Sequence, residues 1–184
     1  MRAILAAIDA GMLPGQGLVA ISNNADAAAL GHAASHGVRT LHISATSAGS
    51  AEQADKAIAA AFDEAGVGLV VLSGYLRPVG PAVLGRFRNR VLNIHPALLP
   101  KFGGRGMFGD HVHAAVLASG EAETGATVHL VDGEYDHGAV LAQMRVPVLP
   151  GDTVETVRAR VMAAEPGLFV QTLRAIADGA IVLP

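Results

Sequence analysis

Val91-Leu92-Asn93-Ile94-His95-Pro96, running on into Ala97-Leu98-Leu99-Pro100, decides the reading of this chain. It is a short apolar run closed by a proline, and it carries an amide and an imidazole two residues apart. In an extended strand, positions i and i+2 project to the same face, so Asn93 and His95 leave the strand together. Pro96 cannot continue a hydrogen-bond ladder and stops it. Two polar heads side by side at the carboxyl end of a strand suit chemistry in which charge develops on a carbonyl oxygen. Taken alone, an N-x-H reads better as a capping Asn beside a buried, hydrogen-bonded His; the P-A-L-L-P that follows shifts that balance.

Working outward, apolar runs short enough for buried strands recur at 18–22, 39–43, 68–73, 126–131 and 140–146. Helical stretches lie between them. Residues 25–37 are Ala-rich, and 50–65 opens with Ser50-Ala51-Glu52-Gln53, a capping-box pattern. Asp110 is placed to cap a helix over 111–119, and Thr153 to cap a closing helix that reaches Asp178 with a break at Pro166. Strands alternating with helices predict an α/β fold, a doubly wound and mostly parallel sheet covered on both faces. Sites in such sheets lie beyond the carboxyl ends of the strands, where Asn93 and His95 fall.

A chain of 184 residues is long enough for one domain, residues 1–184, that buries roughly 70% of its unfolded surface. With 13 Lys and Arg against 16 Asp and Glu, the net charge is -3, and no basic stripe is available to neutralise a nucleic-acid backbone. Small-molecule partners fit better. The absence of cysteine excludes a disulfide framework and thiolate catalysis. No apolar run approaches the ~20 residues a bilayer requires, and Asp9 interrupts the start too early for a signal-peptide core. The expectation is a cytoplasmic protein without membrane or nucleic-acid partners. His111-Val112-His113, taken with His95, His129 and His137, suggests a metal-dependent hydrolase as an alternative; two positions i and i+2 on a helix do not share a face, so no metal site is expected.

Four stretches carry a family resemblance: V-V-L-S-G-Y-L-R-P (70–78), V-L-N-I-H-P-A-L-L-P-K-F-G-G (91–104), G-A-T-V-H-L-V-D (125–132) and Y-D-H-G-A-V-L-A-Q (135–143). Together they resemble the formyltetrahydrofolate-dependent formyltransferases, and similarity continues through V-P-V-L-P-G-D-T (146–153) into the tail. The resemblance implies a Rossmann-like formyltransferase fold and transfer of a formyl group from 10-formyltetrahydrofolate, as cosubstrate, to the amine of glycinamide ribonucleotide in purine biosynthesis. A different amine acceptor, or a folate-binding module without catalysis, are the alternatives.

The family's catalytic Asn, His and Asp fall on Asn93, His95 and Asp136, each in a matching motif. An amide donor and an imidazolium can stabilise an oxyanion, and an anionic neighbour such as Asp136 is expected to raise the pKa of His95. By the same resemblance, the folate pocket draws on Leu76, Arg77, Pro78 and Val79, on Asn93, and on the loop from Val131 to His137. Arg77 alternatively serves as a structural ion-pair partner. Thr127 and His129 alternate on one strand and share a face, which gives them a supporting role or, for His129, that of a hydrogen-bonded core residue. Glu165 matches a family Glu near the amine substrate, although Pro166 stands where the family usually has His.

The resemblance begins inside a helix: Met1 to Ala10 match the helix that follows the family's first strand and its Gly-rich phosphate turn. The expectation is therefore a first strand missing from this chain and lying upstream of Met1. The shortened chain would then be poorly stable, rearranged, or assembled as a homo-oligomer.

Overall fold

The computed structural model describes all residues, Met1–Pro184. It divides into two compact units, Met1–Val91 and Leu92–Pro184. No helix is long and apolar enough to cross a membrane.

The first unit opens with the amphipathic helix α1 (Arg2–Asp9), which buries Leu5 and Ala7. Strand β1 (Val19–Ser22) pairs in parallel with β2 (Arg39–His42) as a two-stranded sheet, and α2 (Ala28–Ser35) connects them, shorter than the Ala-rich stretch suggested. Leu5, Ala33 and Val38 form a small core beneath α1, with Met1, Ile8 and Ala20 packed against it. A short helix α3 (Ala45–Ala48) precedes α4 (Ala51–Glu64). Ser50 caps α4 as expected, accepting from the Gln53 amide at 3.1 Å.

Strand β3 shrinks to Val70–Val71, much shorter than its apolar run. Helix α5 (Pro81–Arg86) has no capping side chain of its own. The buried carboxylate of Asp55, on α4, supplies one instead: it accepts from the amides of Ala82 at 2.7 Å and Val83 at 3.2 Å. Gly80 makes room, since a Cβ there would overlap that carboxyl group. Orphan amides at a helix start need such partners, and here the partner comes from 27 residues away.

The second unit is built on β4 (Val91–His95), β5 (Glu123–Leu130) and β6 (Val140–Pro147). Both pairings, β4 with β5 and β5 with β6, are antiparallel, so the expectation of a mostly parallel sheet gives way to a mixed α/β architecture. Only nine residues separate the end of β5 from the start of β6, too few for the dozen or more a parallel crossover needs. A bulge interrupts the β5–β6 ladder: Val128 faces Ala142, but His129 faces Val140, leaving Leu141 as the extra residue. Seven consecutive residues of β5, Thr124 to Leu130, are buried, which is why its pattern reads as continuous rather than alternating.

Helix α6 (Asp110–Ser119) starts one residue earlier than expected. Asp110 lies inside the helix and makes no cap bond; Gly109, at φ 55°, occupies the capping position, and Asp110 pairs with Arg158 at 2.8 Å. Helix α7 (Val154–Ala177) packs on β5 and β6 and runs through Pro166 without the expected break. Thr153 forms a full capping box with Thr156 at its start.

Candidate active site

In the second unit the register of the sheet lines up two rows of polar side chains. His95 faces Thr127, which faces Gln143; Asn93 faces His129. Cross-strand partners share a face, and on this face the segment after β4 turns back over the sheet. Thr127 fixes that segment. Its hydroxyl donates to the Ala97 carbonyl at 2.6 Å and accepts from the Leu99 amide at 3.0 Å.

Asp136 enters from the β5–β6 loop with a left-handed backbone, φ 55°, which is uncommon for a residue with a side chain. Asp132 shapes the same loop: one carboxylate oxygen accepts from the Glu134 amide at 2.9 Å, the other from the His137 ring at 3.1 Å. Gly138 closes the loop where a Cβ would run into the carbonyl of Leu130, so the Gly of Y-D-H-G answers to a close backbone approach. Gly103 has a similar reason, because a Cβ there would lie 2.5 Å from Leu99 Cδ2 and 3.1 Å from Asp136 Cβ.

The hydrogen bonds fix the proton positions on both histidines. His95 Nε2 lies 2.8 Å from the Phe102 carbonyl, which can only accept, so Nε2 carries the proton and Nδ1 is bare in the neutral ring. His129 Nδ1 donates to the Leu130 carbonyl at 2.9 Å, leaving Nε2 bare to accept from Asn93 Nδ2 at 3.1 Å. Both bare nitrogens look toward Asp136: His95 Nδ1 is 3.4 Å from Oδ2, and His129 Nε2 is 3.6 Å from Oδ1. The Gly104 amide donates to Oδ2 at 2.9 Å. Phe102, at φ 58°, is the second strained residue beside this cluster.

Burial works against the charged form of both rings. His95 is only 3% exposed, and desolvation holds its pKa below the ordinary histidine value, although Asp136 and the Phe102 carbonyl pull the other way. The expectation that Asp136 would raise the pKa of His95 above a free histidine is therefore overturned. His129 is lowered for the same first reason, with the Leu130 carbonyl and Asp136 opposing. Outside the cluster, Asp132 raises the pKa of His137.

The structure thus brings together Asn93, His95, Thr127, His129 and Asp136. Val131 sits half-buried at the start of the loop, and His137 points to Asp132 rather than into the cluster. Glu165 lies half-buried on α7, with no hydrogen bond or ion pair to these residues, and burial raises its carboxyl pKa. Leu76, Arg77, Pro78 and Val79 belong to the first unit, where Leu76 is 73% exposed and Arg77 makes no ion pair. His111 is exposed while His113 is buried in the core. Sequence reading missed the Phe102 carbonyl, the Gly104 amide and Gln143. Only Gln143 left a signal, a polar residue interrupting the run of β6.

Comparison with known proteins identifies the family. The formyl transferase family model matches residues 1–173. Phosphoribosylglycinamide formyltransferase of Escherichia coli (strain K12) is 35% identical over 179 residues, covering 97% of this chain and 82% of that protein. The chloroplastic enzyme of the same name from Vigna unguiculata is 46% identical over 116 residues, a stretch that spans 63% of this chain and 37% of the plant protein. The crystal structure of glycinamide ribonucleotide transformylase 1 from Symbiobacterium toebii superposes with a TM-score of 0.91 at 39% identity, covering 100% of this chain and 84% of that one. Agreement of this extent, carried through both structural units, makes the chain a member of the formyl transferase family.

Proposed function

We propose that this chain transfers the formyl group of 10-formyltetrahydrofolate to the amine of glycinamide ribonucleotide, a step of purine biosynthesis. The observation that carries the reading is the carboxylate of Asp136 faced by two imidazole nitrogens that carry no proton, beside an amide donor. The relatives named for this reaction supply the substrates.

Attack of the amine on the formyl carbon forms a C–N bond and turns the carbonyl into an oxyanion, with an excess proton left on the attacking nitrogen. Asn93 gives one N–H to His129 and keeps the other for that oxyanion. Neutral His129 sets this orientation, because a bare Nε2 accepts only from the amide nitrogen. The proton leaving the amine enters the space between His95 Nδ1 and Asp136 Oδ2, where it joins a base to a carboxylate. It then passes to the folate nitrogen as the old C–N bond breaks, so the site ends as it began.

Asn93, Leu76, Arg77, Pro78, Val79, Val131 and His137 are proposed as folate contacts on the strength of the resemblance. Glu165 is proposed to meet the amine substrate, since a half-buried carboxyl without a partner gains from a cation.

The test is direct. The purified chain should formylate glycinamide ribonucleotide with 10-formyltetrahydrofolate as donor, and His95→Asn or Asp136→Ala should lower turnover by about 10² to 10⁴ with much less effect on folate affinity. Failure on that nucleotide with success on another amine would reassign the acceptor, and undiminished turnover in both variants would remove these residues from the mechanism.

A further inference from the structure

Gln143 takes no part in the chemistry above, yet two hydrogen bonds tie it to the site. Its Nε2 donates to the Leu99 carbonyl and to Thr127 Oγ1, both at 2.9 Å. An amide nitrogen has two protons, and both are used. The flipped amide would set its oxygen against a carbonyl, so one orientation is specified. With this bond Thr127 Oγ1 is also filled: it accepts from Gln143 and Leu99 and donates to Ala97.

We infer that Gln143 is a positioning residue for formyl transfer, acting with Thr127 as a clamp that holds residues 97–104 so that the Phe102 carbonyl keeps the proton of His95 on Nε2. The clamp binds Ala97 and Leu99, just before the turn; Phe102 and Gly104, just after it, bind His95 and Asp136. A strained Phe102 does not hold its place by local preference, since a left-handed backbone is unfavourable for a residue with a Cβ. The restraint has to come from its anchored neighbours. If residues 97–104 shift, the Phe102 carbonyl leaves His95, the ring proton is free to move to Nδ1, and the base that faces Asp136 is lost.

This inference rests on the formyl-transfer reading for its kinetic arm, but its spectroscopic arm does not. Gln143 is exposed enough on β6 that substitution there leaves the core intact. Gln143→Met, which keeps length and loses both donors, should reduce kcat by about 10- to 100-fold, the cost of a displaced reacting group, with KM for the folate little changed. Gln143→Lys, which restores a donor of similar reach, should recover most of it. Nitrogen-15 NMR of the histidine rings should show His95 protonated on Nε2 in the parent and in Gln143→Lys, and mixed tautomers in Gln143→Met. An unchanged His95 tautomer in Gln143→Met overturns the inference, whatever happens to thermal stability, and so does an unchanged kcat. If Gln143→Met does not fold, Gln143→Glu removes the same donors from a polar side chain and faces the same criteria. A parent protein with no formyl transfer would fail the functional reading alone, since the NMR comparison needs no substrate.

Discussion

At the scale of single residues, the histidine beside Asp136 is governed by burial before it is governed by charge. Desolvation lowers His95, and Asp136 only offsets part of the effect. The limb of kcat/KM that belongs to His95 should therefore lie below ~6.5, the value of a free histidine, and Asp136→Asn should move it lower still. A limb that stays in place would separate Asp136 from the tuning of His95. The clustering of Asn93, His95 and Asp136, the proposed catalytic trio, was legible in the sequence because each member sits in a motif of side chains. Phe102 and Gly104 were not, because they act through a carbonyl and an amide that every residue possesses. Gln143 was hidden by its setting, a polar residue on a half-exposed strand, where polarity ordinarily means water.

Among the elements, the run of β4 was read to the residue, and both serine and threonine caps were found where expected. Each rests on a local signal. Strand direction does not, and neither does α5, whose cap is an aspartate from another helix. Replacing Asp55 by Ala leaves two amides of α5 without an acceptor and should cost about 1 to 2 kcal/mol, read from denaturant unfolding. Gly80→Ala should cost as much or more, because its Cβ competes with the same carboxylate. A neutral result for Asp55→Ala would mean that water replaces the cap without loss.

For the whole molecule, the buried histidines make stability depend on pH. His95, His113 and His129 all have folded pKa values lowered first by burial. The unfolded chain then binds protons more readily, so their contribution is complete above about 6.5 and is lost as pH falls toward the folded values. Melting temperature should drop between pH 7.5 and 5.5, and His113→Leu, at a residue outside the proposed mechanism, should flatten that drop. Parallel curves for parent and variant would clear His113 of the effect. A second loss should begin below about 4, where Asp152 of the unfolded chain takes up a proton while the folded one, held well below the ordinary carboxylate range by Arg160, stays ionised. The β5–β6 bulge, finally, sets how this fold tolerates a change of length. Leu141 is the one residue of β6 the ladder does not count, so a lineage that lost it would gain a regular hairpin and keep Thr127 opposite Gln143 and His129 opposite Val140. A loss anywhere between Ala142 and Pro147 would instead slide every later pair by one, turning side chains to the wrong face.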